Sequence, residues 1–67
     1  MKPIRLVLVD DHAILRQGLR SLLERDDDLI VVGEAASEVE AETIVRATTP
    51  DVVLLDLGAG IAPAVLL

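Results

Sequence analysis

Three short aliphatic blocks separated by two stretches of helical periodicity constrain this chain more than any other feature: Ile4 to Val9, Leu29 to Val32 and Val52 to Leu55. Each is rich in Val, Ile and Leu without sustained polar alternation, the pattern of a strand buried on both faces of a parallel sheet. After the first block, Ala13 to about Arg25 sets Ile14, Leu15, Leu19, Leu22 and Leu23 on one side and Arg16, Gln17, Arg20 and Glu24 on the other. That spacing predicts an amphipathic helix with its leucine side inward. Gly18 costs such a helix about 1 kcal/mol relative to Ala, so it is either tolerated or marks a close contact. After the second block, Ser37 with Glu40 three residues on forms a capping-box signature. It predicts a helix to about Ala47, with Val39, Ala41, Ile44 and Val45 available for the inner face, and Pro50 and Asp51 mark its exit. The tail "IAPAVLL" reads equally as a helix start or as a fourth short strand begun through Pro63.

The order strand, helix, strand, helix, strand calls for right-handed crossovers and an α/β fold, a parallel sheet with helices on its faces. The first and third strands can then lie side by side. Ligands of open parallel sheets sit beyond the carboxyl ends of the strands, and here those ends carry Asp10, Asp11 and Asp56. Converging carboxylates repel one another unless a cation neutralises them or one is protonated. Mg²⁺ suits hard oxygen ligands and keeps positions for water or phosphate oxygens, and it lets a phosphoryl group approach a carboxylate nucleophile. The residues therefore point to a Mg²⁺-dependent acyl phosphate on Asp56 or on one of the pair. A single Asp at a strand end serves equally well as a helix cap; it is the joint placement at two adjacent strand ends that favours a cation site. His12, the chain's one histidine, reads as a surface residue or helix cap. Asp26 to Asp28 read as a solvated turn without calcium-loop spacing, and "GAG" at 58–60 as a flexible loop, not a phosphate loop.

Composition narrows the classes of partner. At 67 residues the chain holds at most one small domain with a thin core. It has no aromatic residue, so the core is aliphatic and no stacking platform for single-stranded nucleic acid exists. A formal net charge of −6 argues against a surface that tracks phosphates. Cysteine is absent, which excludes a disulfide framework and thiolate metal sites. The apolar runs at both ends are too short for a signal core or a membrane span, so a cytoplasmic protein is expected.

The segments "IRLVLVDDHAILRQGLRSLLE", "VVGEA" and "PDVVLLDL" together resemble the first half of a bacterial response-regulator receiver domain, of the NarL/FixJ type. The resemblance covers Ile4 to Leu57 and implies a flavodoxin-like (CheY-like) three-layer fold, shortened, with parallel strand order 2-1-3. It implies that residues 1–67 are part of a receiver domain, a signalling module and not an enzyme, with a DNA-binding helix-turn-helix domain elsewhere in full-length members. Direct contact with nucleic acid or membrane by this segment is not expected. Carried over by position, Asp56 is the phosphoacceptor, and Mg²⁺ is held by Asp11, Asp56 and the backbone carbonyl of Gly58, with Asp10 acting through water. The phosphodonor is a phosphohistidine on a sensor histidine kinase, and Ile14, Leu15 and Gly18 are candidate contacts to it. The chain departs from the family pattern at Ala59 and Gly60, where a Met-Pro pair is usual, and its single lysine is Lys2. Without the family's fourth and fifth strands, Val52 to Leu55 form an apolar sheet edge, which predicts self-association. The alternative function is accordingly a phosphorylation-incompetent fragment that assembles through that edge.

Overall fold

The computed structural model describes residues 2–56 in full and residues 64–66 as backbone. In chain order the elements are β1 (Ile4–Asp10), α1 (Ala13–Leu23), β2 (Leu29–Ala35), α2 (Glu38–Thr48), β3 (Val52–Asp56) and β4 (Ala64–Leu66). They build a four-stranded sheet of order β2-β1-β3-β4, in which β1 is parallel to both its neighbours and β4 is antiparallel to β3. The chain steps from β1 to β2 on one side and then returns past β1 to β3. Right-handed crossovers of opposite direction put α1 and α2 on opposite faces of the sheet.

Strand periodicity sorts the core into two sides. Val7 and Val9 of β1 pack with Ala35, Ala41 and Val53, and Ile44, Val45 and Leu55 join them beneath α2. Leu6, Leu8 and Asp10 alternate with these onto the α1 side, where Leu6 and Leu8 are buried. Each such aliphatic side chain contributes about 1.5–3 kcal/mol on burial, so β1, buried from Leu6 to Asp10, carries most of the fold.

The ends of the elements follow from local chemistry. α1 stops at Leu23, two residues short of the periodicity's reach, because the Arg25 and Asp26 N–H groups bond to Leu22 and Leu23 three residues back and tighten the last turn. The Asp26 carboxylate then accepts from the Asp28 N–H at 2.9 Å and closes the acidic turn. At α2, Ser37 Oγ accepts from the Glu40 N–H at 3.2 Å as the capping signature predicts; Glu40 reaches back one residue further, to the Ala36 N–H. Thr49 closes that helix in the left-handed conformation (φ 46°, ψ 63°) immediately before Pro50, a strained position for a β-branched residue.

Val39, expected on the inner face of α2, is exposed, and two expectations about the strands change as well. β2 runs to Ala35 instead of stopping at Val32, because the ladder to β1 continues past a register shift and pairs Gly33, Glu34 and Ala35 with Val7, Leu8 and Val9. The exposed β3 edge is also corrected: Val52, Val53 and Leu54 pair with Leu66, Val65 and Ala64, so the tail takes the strand reading. β4 thus covers Val52 to Leu54 and takes the place of β3 as the outer strand on this side of the sheet. No helix among the described residues is long and apolar enough to cross a membrane.

α2 packs closely over Gly33 of β2. A Cβ placed there would lie 2.5 Å from Ile44 Cγ2, on a branched side chain with little freedom to withdraw. Gly33→Ala should therefore destabilise the chain by about 1–3 kcal/mol through overpacking, seen as a lower urea midpoint with an unchanged m-value.

Candidate functional site

The site begins with the register between β1 and β3. Their partners run from Leu6 opposite Val52 to Asp10 opposite Asp56, so the two strands finish level and both aspartates fall on the same face. The start of this pairing is clamped. Arg5 and Asp51 exchange bonds, the Arg5 N–H donating to Asp51 Oδ2 and the Asp51 N–H to the Arg5 carbonyl, each at 2.9 Å, while the Arg5 guanidinium donates to the Thr48 carbonyl.

Asp10 is only 2% exposed. Its Oδ1 accepts the His12 N–H at 2.7 Å and lies 3.3 Å from His12 Nδ1, whereas its Oδ2 is buried with no hydrogen-bond partner among the described residues. Leaving a carboxylate oxygen dry and unpaired costs at least about 1–3 kcal/mol, an expense a fold retains where something else fills the position. Asp11 is exposed, with Oδ1 2.8 Å from the same His12 nitrogen. Potential ligand atoms of Asp10, Asp11 and His12 all lie within 4.8 Å of one another. Asp56, half-buried, stands next to Asp10 on the ladder but outside that tight group. Carboxylate oxygens are hard donors that suit a divalent cation, and Mg²⁺ is chemically consistent with this donor set.

A basic arm lies behind the acids. Arg16 donates through its guanidinium to the Asp10 carbonyl at 2.6 Å and to Glu34 Oε1 at 2.9 Å, and Arg20 pairs with the other Glu34 oxygen. This corrects the expected orientation of α1 in part, since Leu19 and Leu23 are half-buried as expected. Arg16, placed toward solvent by its charge, is half-buried, while Ile14 is 87% exposed and Leu15 and Leu22 are exposed as well. The arginines turn toward the sheet because β2 presents a carboxylate there, and α1 has no fully buried residue.

Comparison with known proteins is consistent with this geometry. Residues 6–59 match the response regulator receiver domain. The chain belongs to that family. Over 54 residues, 81% of its length, the receiver is 46% identical to the uncharacterized transcriptional regulatory protein YhcZ of Bacillus subtilis and 50% identical to the DNA-binding transcriptional activator DevR/DosR of Mycobacterium tuberculosis. It spans about a quarter of the length of each. Among solved structures, a LuxR-family two-component response regulator from Aurantimonas sp. superposes with a TM-score of 0.79 at 47% identity, over 88% of this chain and 42% of that one. The three parallel strands in order 2-1-3 with two helices are thus those of the CheY-like fold, here joined by antiparallel β4. Receivers generally bind Mg²⁺ at an acidic pocket, and in this chain Asp10, Asp11 and His12 bring potential ligand atoms close together.

Of the residues singled out from the receiver's sequence, Asp10 and Asp11 come together and Asp56 is brought alongside; Gly58 lies outside the described residues. Ile14, Leu15 and Gly18 are exposed, and nothing stands within 4 Å of a Cβ at Gly18, so that glycine is tolerated and not packed. Sequence reasoning missed the ring of His12 and the Arg16–Glu34–Arg20 arm. Two signals were there: His12, Arg16 and Arg20 recur every four residues along one stripe, and Glu34 is a charge inside an apolar strand.

Burial pushes the Glu34 carboxyl upward, but the hydrogen bonds from Arg20 and then Arg16 outweigh it and hold the group below its ordinary value of 4.5. The Arg20 guanidinium is raised by its bonds to Glu24 and Glu34. A carboxyl depressed in the folded state stabilises above its unfolded pKa and loses that contribution as pH falls through the folded value. Glu34→Gln should lower stability at pH 7 by about 1–2 kcal/mol. Below pH 4.5 the difference from wild type should shrink steadily, as urea midpoints across pH would report.

Proposed function

We propose that this chain is part of the receiver domain of a cytoplasmic two-component transcriptional regulator and accepts a phosphoryl group on Asp56 from a phosphohistidine of a sensor histidine kinase. In this reading Asp11, Asp56 and the Gly58 backbone carbonyl would hold Mg²⁺, with Asp10 acting through water, and the ion would screen the charge of phosphate against carboxylate. The observation that carries the reading is the level ending of β1 and β3, with Asp10 opposite Asp56 and a buried Asp10 oxygen that no group among the described residues satisfies.

An Asp56 carboxylate oxygen attacks phosphorus in line. The bond from phosphorus to the donor imidazole breaks, its electron pair stays on the ring nitrogen, and an acyl phosphate forms on Asp56. Asp10 contributes fixed negative charge beside the nucleophile, held by the His12 N–H on its carboxylate and by Arg16 on its carbonyl. DNA binding belongs to DevR/DosR by name; for this chain, DNA is reached through a separate helix-turn-helix domain of the full-length regulator. The competing assembly reading drew on an open β3 edge, and the pairing of β3 with β4 removes that support.

Incubation with Mg²⁺ and a small acyl phosphate, followed by intact-mass measurement, should add one phosphoryl group to wild type and none to Asp56→Ala. A folded chain that stays unmodified would overturn the assignment. Ile14, Leu15 and Gly18 form the proposed kinase-facing patch. Gly18→Ala should raise stability by about 1 kcal/mol, while Ile14→Glu should slow transfer from the kinase without slowing transfer from the small donor.

A further inference from the structure

We propose that His12 is itself a metal ligand of the strand-end site and that its imidazole moves the site's preference from Mg²⁺ toward transition ions such as Mn²⁺. The proposal rests on the reading of the strand ends as a cation site. It assigns a chemistry to the one aromatic nitrogen group that the phosphotransfer reading leaves unused.

Three observations converge on the ring. His12 Nδ1 lies 2.8 Å from Asp11 Oδ1 and 3.3 Å from Asp10 Oδ1. Ligand bonds to a divalent ion of this size run about 2.0–2.2 Å, so donors spread over no more than 4.8 Å can close on a single ion with small adjustments. Next to them is the buried, unpartnered Asp10 Oδ2, a polar atom that hydrogen bonding to His12 does not account for. Finally, apart from its contacts with Asp10 and Asp11, the ring has no hydrogen-bond partner among the described residues. His12 is the N-cap of α1, yet its side chain makes no capping bond; only its backbone does, donating to Asp10 Oδ1 and accepting from the Arg16 N–H at 2.9 Å. Those two backbone bonds hold the Cα at the mouth of the site, which lowers the ordering cost of bringing the imidazole onto an ion.

Donor chemistry sets the direction of the preference. Mg²⁺ takes oxygen ligands and keeps its waters, so an imidazole adds little to its binding. Mn²⁺ takes the same carboxylate donors as Mg²⁺ but, as the first of the transition-ion series that binds mixed nitrogen and oxygen sites, it also gains from an imidazole nitrogen and so from the full group of Asp10, Asp11 and His12. The side chain is 63% exposed, so replacing it should leave the fold intact.

The test measures Mg²⁺ and Mn²⁺ affinities of the full chain for wild type, His12→Ala and His12→Asn, with nitrogen couplings in the electron spin-echo spectrum of bound Mn²⁺. Both variants should lose about tenfold or more in Mn²⁺ affinity and change less than about twofold for Mg²⁺. The imidazole nitrogen signal should be present in wild type and absent from both variants. Unchanged Mn²⁺ binding with no nitrogen coupling in wild type overturns the role of His12 while leaving the cation site standing. Tighter binding of both ions to the variants also overturns it, since His12 would then obstruct the site. Failure of wild type to bind either ion overturns the inference and the reading beneath it together.

Discussion

Everything the site can do depends on the parallel pairing of β1 with β3 in one register. Side chains alternate with a period of two along a strand, so a slip of one residue would send Asp56 to the α2 face and leave Asp10 without its neighbour. The register is held at the start and in the middle of the ladder. At the start, Arg5 and Asp51 exchange hydrogen bonds; along the middle, Val7 and Val53 meet in the core under α2. The acidic strand ends are a consequence of pairing that aliphatic residues enforce.

Burial of Asp10 shows which effect wins. An unsatisfied carboxylate oxygen costs at least about 1–3 kcal/mol, and the adjoining buried residues Val7, Leu8 and Val9 each contribute about 1.5–3 kcal/mol. The core can therefore hold a destabilised acid in place. α1 completes the arrangement from above: it places His12 at the mouth, and Arg16 ties the end of β1 to Glu34 of β2. Because the arginines take the sheet-facing side, Ile14, Leu15 and Leu22 are left outward, and the same rotation that braces the acids creates the exposed apolar patch.

Much of this was legible in the residues. Runs such as "LVLV" and "VVLL" admit little besides buried parallel strands, and the aspartates that close them could be placed side by side from the order of elements alone. Both helices were readable from periodicity and from the Ser37–Glu40 cap. The orientation of α1 was not, because apolar spacing names a face without saying what the sheet offers it, and here an ion pair with Glu34 competed with leucine burial. The extra length of β2 was hidden by Gly33, which resembles a strand end in sequence but serves a close helix approach. The tail was undecidable because a short aliphatic run fits a helix or a strand equally well, and only the open edge of β3 selects between them.

The central claim is that the ends of β1 and β3 form one cation site. It is tested most directly by titrating trace Mn²⁺ into the isotopically labelled chain and following paramagnetic broadening of its backbone amides. The account predicts that Asp11, His12 and Asp56 broaden together at the lowest metal level, ahead of the acidic turn at Asp26 to Asp28, and that excess Mg²⁺ restores the Asp56 signal. Broadening that begins at the turn, or that reaches Asp11 while sparing Asp56, would contradict it.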